Sequence, residues 1–511
     1  MPVLEYFQES VRRHAQSRPN TSAVRSGSTM VTWSELDVHT DKLAAAFQAI
    51  GIQNQRIAVL LEEPIAYVQV LIGALKAANC FVPLPLMATD AALARMLKDS
   101  GSSCLLFSES QRESATKLIA LEQLTLKISV GCELSGCVPY DEFSDTGREC
   151  KRLEIKATGE CNLIYSSGTT GTPKGILLEN KYRLYQIPNW HAFGVNLESR
   201  VMVTASLYSN WALTAICATL NIGGTLIFPK NLDAESSLEA CFDTSPTHLV
   251  TVPIQLNRMF GSKLFSSGKM MKTLKICAGS PFPAPDKVRA MANWPRGGLV
   301  DLYGSTEGGA RTVLFAHENP DKLGSVGRPW SDMEGSVRII DDAGKEVPTG
   351  QNGEIVGFST VQMKEYANLP DVTNSIYWLD HSGTKYIRSG DIGRFDSDGF
   401  LYLSGRKKDM FISGGFNIYA NDLEDVLRDH PHVVEAAVIG IPSDRWGESP
   451  YAYVVTQQEV SAKAEDILAW ANERLGKAQR LIGLTVCPDL PRNSLGKVVK
   501  HALRENCEGD L

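Results

Sequence analysis

The residues best suited to chemistry lie in one run: Tyr165-Ser166-Ser167-Gly168-Thr169-Thr170-Gly171-Thr172-Pro173-Lys174-Gly175, directly after the apolar pair Leu163-Ile164. Its glycines permit tight turns with positive φ. Its hydroxyls and free N–H groups can wrap a polyphosphate, and Lys174 adds a positive charge. No Gly-Lys-Ser/Thr closes the run, so it is not a Walker A loop. The ordered Gly-x-x-Gly-x-x-Lys-Gly spacing after a strand is more than a flexible linker needs.

Further motifs follow in chain order. Tyr303-Gly304-Ser305-Thr306-Glu307 comes after the strand-like Leu299-Val300. An aromatic ring, a glycine and a Thr-Glu pair at a strand end could stack a base and hold a cation. One carboxylate suffices for Mg²⁺, which takes most of its ligands from phosphate and water. Before it, Ala278-Gly279-Ser280-Pro281 ends the apolar run Leu274 to Cys277, and small residues there let a ligand approach the main chain. Downstream lie Ser389-Gly390-Asp391, Gly405-Arg406-Lys407-Lys408-Asp409 and Ile412-Ser413-Gly414-Gly415-Phe416-Asn417-Ile418-Tyr419. Last comes Pro491-Arg492-Asn493-Ser494-Leu495-Gly496-Lys497.

In this order the motifs resemble the adenylate-forming (ANL) superfamily, which holds acyl-CoA synthetases, aryl-CoA ligases, peptide-synthetase adenylation domains and beetle luciferases. The resemblance runs nearly the length of the chain and implies a role for each position. Ser166, Ser167, Gly168, Thr169, Thr170, Gly171 and Lys174 form the phosphate loop of an ATP site. Gly279, Ser280 and Pro281 line the adenine and acyl-carboxylate pocket. Asp301 stands where the family often faces the adenine amino group with a polar residue. Tyr303, beside Gly304, stacks on adenine, Thr306 bonds the α-phosphate, and Glu307 holds Mg²⁺. Asp391 accepts from both ribose hydroxyls, which a carboxylate's two oxygens suit. Arg406 contacts ribose and phosphate, and Lys408 is the hinge of a small mobile domain. Gly414, Gly415 and Asn417 belong to the loop that enters the site for a second half-reaction, followed by the helix with Glu424. Ala420 replaces the usual proline. Lys497 matches the catalytic lysine, whose charge bridges carboxylate and α-phosphate.

The implied enzyme is an acid–thiol ligase that forms an acyl-adenylate and then a thioester. Glu307, Asp391 and Lys497 are all present, which argues against a non-catalytic nucleotide-binding member. The stretch Ser206-Leu207-Tyr208-Ser209-Asn210-Trp211-Ala212-Leu213 carries no acidic residue to pair an α-ammonium group. Burying that ammonium unpaired would be costly, so a non-amino carboxylic acid is favoured. Tyr208, Ser209, Trp211 and Leu213 are acyl-pocket candidates, with Ser209 where many relatives have histidine. The resemblance favours coenzyme A as acceptor; the rival is a carrier-protein phosphopantetheine loaded in trans. A luciferase-type oxidation is a third reading.

The elements that must position these motifs are also visible. Ile57 to Leu61 suits a buried strand, and Pro64 fits a helix's first turn. Val68, Leu71, Ile72 and Leu75 share one helical face. Phe81 to Leu84 and Cys104 to Phe107 read as strands around a helix closed by Gly101. Such alternation implies βαβ units and a largely parallel sheet. After Gly405 comes a compact segment: a helix through Leu423, Val426 and Leu427, strands at Val433–Ile439 and Tyr451–Val455, and a helix through Leu468, Ala471 and Leu475. The expected fold is α/β: a large N-terminal domain of layered subdomains over 1–404, and a small mobile C-terminal α+β domain over 405–511, joined near Lys408.

Composition sets outer limits. The 511 residues are 43% hydrophobic and 21% charged, as in a soluble enzyme. A net charge of -7 argues against a dedicated nucleic-acid binder. The N-terminus has no apolar h-region, and Ala66 to Leu86 is too interrupted for a membrane span. Eleven cysteines without a CxxC pair fit free thiols in a reducing cytoplasm.

Overall fold

A computed structural model of the protein describes residues 6–121, 123–166, 173–265, 273–278, 282–294, 298–330, 336–413, 416–443, 446–457, 463–492 and 498–510. The chain divides into two compact units. The first comprises Met1–Gly309, Phe315–Pro320 and Ser359–Tyr377; the second comprises Ala310–Leu314, Asp321–Phe358 and Trp378–Leu511.

The first unit has two sheets. In one, the strands Arg56–Leu60, Cys80–Pro83, Cys104–Ser108, Leu126–Val130 and Val138–Pro139 run parallel, and Glu160–Ser166 joins beside Cys80–Pro83. Their apolar runs are buried on both faces, as parallel strands require. Pro64 opens the helix Pro64–Lys76, and Gly101, at φ 61°, ends the helix Asp90–Ser100 as expected. The glycine-rich run follows a strand, as expected, and joins Glu160–Ser166 to an antiparallel partner, Lys174–Glu179, with Ser166 opposite Lys174. Ile176, Leu177 and Leu178 bury as a strand, and the short strand Glu365–Tyr366 pairs antiparallel with it.

In the second sheet, Leu299–Gly304, Leu274–Ala278, His248–Thr251, Arg200–Val203, Thr225–Phe228 and Ser22–Ser26 are parallel neighbours. Their carboxyl ends therefore point the same way, and the Tyr303 motif sits at one of them. Ligands of open α/β sheets bind outside such ends.

The second unit holds two mostly antiparallel sheets. Val337–Ile340, Gly353–Gly357, Lys385–Phe395 and Leu401–Arg406 form the first. In the other, Val433–Ser443 and Gly447–Thr456 make a long hairpin, flanked by Phe411–Ser413 and Gly483–Val486. The helices Ala420–Arg428 and Ala464–Arg474 cover it with Leu423, Leu427, Ile467 and Ala471. This unit takes in more chain than 405–511, because Leu401–Arg406 is hydrogen-bonded into the first of its sheets. Among the described residues every cysteine whose side chain is described is a free thiol, and no helix is long and apolar enough to cross a membrane.

Candidate active site

Within the first unit, three segments distant in sequence meet around Glu307. The Tyr366 hydroxyl donates to Glu307 Oε1 at 2.7 Å, and the Lys174 ammonium lies 5.3 Å from the centroid of the same tyrosine ring. Burial, then the Glu307 carboxylate, push the Tyr366 phenol far above its ordinary value, so it keeps its proton and acts as donor. The backbone around Glu307 is fixed as well. The Met363 N–H donates to the Glu307 carbonyl at 2.9 Å, and Gly308, at φ 78°, packs so closely that a Cβ would sit 1.7 Å from the Val361 carbonyl. Ser166 and Lys174, the two described ends of the glycine loop, face each other across the hairpin.

A second set of bonds holds the turn from the other side. The Tyr182 hydroxyl donates to the Thr306 carbonyl at 3.1 Å, and itself accepts from Asn210 Nδ2 at 3.0 Å. Asn210 Oδ1 accepts from Arg183, which also reaches Asn162 and Thr214. Arg183 is 5% exposed, so this network is internal. It ties the Thr306-Glu307 turn to the start of the helix Asn210–Ile222.

That helix start contains the acyl-pocket candidates. The Ser209 hydroxyl accepts from the Ala212 N–H at 3.2 Å, so Ser209 is the helix N-cap. Trp211 donates its indole N–H to the Thr251 carbonyl at 3.0 Å and stacks on Trp190 with centroids 5.6 Å apart. It ties the helix start to the carboxyl end of the strand His248–Thr251. Tyr208 is half-buried beside it, whereas Leu213 is wholly buried in the core.

Tyr303 and Gly304 end the strand Leu299–Gly304, with the ring half-buried and Gly304 exposed. Asp301, two residues earlier, is 2% exposed and its Oδ2 lies 2.7 Å from the buried ammonium of Lys287. Burial pushes the Asp301 carboxyl up, and Lys287 opposes that. The carboxylate is thus already paired inside the protein.

In the second unit, Asp391 and Arg406 are direct cross-strand neighbours, with Arg406 Nε 2.7 Å from Asp391 Oδ1. Lys408 lies in the single turn Lys407–Asp409. Its pKa is lowered by burial and by the cations Arg406, Arg504 and Lys500, with Asp409 opposing. Glu424 is 4% exposed and faces Lys500 and Arg428, and it accepts from the Val438 N–H at 2.9 Å. Burial alone would raise its carboxyl; the two cations outweigh that and hold it below the ordinary range.

Ser167, Gly168, Thr169, Thr170, Gly171, Gly279, Ser280, Pro281, Gly414, Gly415 and Lys497 lie outside the described residues. Asn417 belongs to the strand Phe416–Ile418. Sequence reasoning missed Tyr366, Tyr182 and Lys287. Each acts through a contact between distant segments and carries no local motif of its own.

Among the described residues no group of three or more His, Cys, Asp or Glu side chains could cage a metal. A lone carboxylate such as Glu307 fits Mg²⁺, whose other ligands come from phosphate and water.

Comparison with known proteins agrees along the whole chain. The AMP-binding enzyme family model matches residues 11–367, and the model of the AMP-binding enzyme C-terminal domain matches residues 422–497. A feruloyl-CoA synthase of an Amycolatopsis species is 31% identical, over 96% of this chain and 97% of its own. The indoleacetate–CoA ligase of Aromatoleum aromaticum is 27% identical, over 97% of each chain. Among solved structures, the anthranilate CoA ligase AuaEII in complex with anthranoyl-AMP superposes with a TM-score of 0.89 at 20% identity, covering 100% of this chain and 98% of its own, and so shares the fold. ATP-bound MatB from Rhodopseudomonas palustris gives a TM-score of 0.85 at 25% identity, covering 98% of each.

Proposed function

We infer the reaction from one premise: this chain belongs to the AMP-binding enzyme family. It is an AMP-forming acid–thiol ligase, and its substrate class is a non-amino carboxylic acid. In the first step a carboxylate oxygen attacks the α-phosphorus of ATP, and pyrophosphate leaves with the bridging oxygen. In the second a thiol sulfur attacks the acyl carbon of the mixed anhydride, loses its proton, and AMP leaves. Coenzyme A is the proposed thiol.

The observation that carries this reading is the meeting of Lys174 and Glu307 at Tyr366. A cation at the foot of a glycine loop and an oriented carboxylate are what a magnesium–polyphosphate needs. Mg²⁺ would enter with ATP and offset charge on the phosphate oxygens; Glu307 is the residue proposed to hold it. Thr306 is proposed to contact the α-phosphate and Tyr303 the base. Asp391 and Arg406 are proposed to serve the ribose and phosphate, and Lys497 the charge that builds between carboxylate and α-phosphate. The absence of an acidic residue in 206–213 supports a substrate without an α-ammonium group. Trp211 and Tyr208 are the proposed walls of its pocket.

The domain boundary is a proposal about movement: residues 405–511 turn about Lys408 between the two steps. A rigidifying Lys408→Pro should impair thioester formation from synthetic acyl-AMP and spare adenylate formation. Unaffected thioester formation would place the hinge elsewhere. Product analysis decides the acceptor. Free acyl-CoA is expected; an acylated carrier protein with no acyl-CoA would instead mark a loading enzyme.

A further inference from the structure

The Tyr366 hydroxyl is the one described donor on the Glu307 carboxylate. It occupies Oε1, while Oε2 takes no hydrogen bond among the described residues. A phenol orients a carboxylate without cancelling its charge, whereas an ammonium or guanidinium in its place would neutralise it. The tyrosine is itself held firmly. It is 7% exposed, its N–H donates to Thr373 Oγ1 at 2.9 Å, and its backbone pairs with Ile176 on the strand that begins at Lys174. The same segment braces the Glu307 turn from behind through Met363 and Val361. On the ring's face sits the Lys174 ammonium, at a distance where the aromatic quadrupole attracts a cation. One side chain therefore sets both a carboxylate and a lysine, and leaves one carboxylate oxygen for a ligand.

We propose that Tyr366 is a positioning residue that aims Glu307 Oε2 at the divalent cation carried by ATP and holds Lys174 toward the same phosphates. This rests on the reading of Glu307 as the cation ligand. Partners that orient a metal-binding side chain typically contribute about 10- to 100-fold to metal affinity.

The test is equilibrium binding of Mn²⁺, followed by its electron paramagnetic resonance signal, to the full-length enzyme with a non-hydrolysable ATP analogue. Wild type, Tyr366→Phe and Glu307→Gln are compared. Tyr366→Phe, which removes one oxygen and keeps the ring, should weaken Mn²⁺ binding about tenfold. Thioester formation from preformed acyl-adenylate, which needs no polyphosphate, should change far less. Normal Mn²⁺ affinity in Tyr366→Phe alongside weakened affinity in Glu307→Gln overturns the role of Tyr366 and leaves the reading of Glu307 standing. Normal affinity in Glu307→Gln overturns the reading of Glu307 itself. Tighter Mn²⁺ binding in Tyr366→Phe would mean that the tyrosine restrains the carboxylate, and a loss of thioester formation as large as the loss of Mn²⁺ affinity would mean a merely structural tyrosine; either overturns the proposal.

Discussion

Glu307 is held differently from the paired carboxylates, which the first unit also has at Asp37, Asp41 and Glu179. In the second unit Asp391 faces Arg406, Glu354 faces Arg388 and Lys407, and Glu424 faces Lys500 and Arg428. In the first, Glu307 is held by a neutral phenol and a backbone turn. The first arrangement keeps charge available for an incoming cation, while the second settles the charge within the unit. Asp301 sharpens the contrast, because it lies near Glu307 in sequence yet is paired with Lys287. By this criterion it is poorly placed to attract a metal, and Glu307 is well placed.

The largest expected effect concerns Lys497, proposed to stabilise the charge that builds between carboxylate and α-phosphate. Lys497→Ala should lower adenylate formation by about 100- to 1,000-fold, the scale of losing one charge-stabilising donor. Thioester formation from synthetic acyl-AMP should largely survive. Equal loss of both steps would contradict that role. Next comes a purely structural charge. Glu424→Gln leaves Lys500 and Arg428 beside an uncharged amide, and breaking such a buried pair costs about 3–5 kcal/mol. Urea unfolding should reveal this in the second unit, and an unchanged midpoint would show that the paired carboxylates there are dispensable.

The smallest effect is a pH dependence in the first unit. Lys275 is fully buried against Trp294, and burial lowers its pKa to about 8 from the ordinary 10.5. Between those values the unfolded chain holds more protons than the folded one, so stability should rise with pH across that window. The cost of burying the charge is fully present below about pH 8. Lys275→Met should flatten the rise, worth on the order of 1–3 kcal/mol. A wild-type urea midpoint that falls from pH 8 to 10 would contradict the assignment.

Much of the scaffold was legible in the sequence because buried parallel strands are nearly unbroken apolar runs. Ile57 to Leu61, Phe81 to Leu84 and Cys104 to Phe107 lie within a residue or so of the observed strands. The hairpin around the glycine loop was not legible. Pro173 and Lys174 look like loop, and only pairing with Glu160–Ser166 makes Lys174–Glu179 a strand. The N-cap role of Ser209 has a local signal, a serine just before an apolar helix. Tyr366 and Lys287 gave no signal, since an isolated tyrosine or lysine means nothing until tertiary folding supplies its partner. The motifs name candidate residues, and tertiary packing brings Tyr366 to one of them, Glu307.

The central claim is that this chain activates a non-amino carboxylic acid with ATP. The most direct measurement is acid-dependent exchange of labelled pyrophosphate into ATP across aliphatic, aromatic and amino acids. Exchange with one or more non-amino acids, lost in Glu307→Gln, is expected. Exchange with amino acids alone, or with no acid at all, would contradict the account.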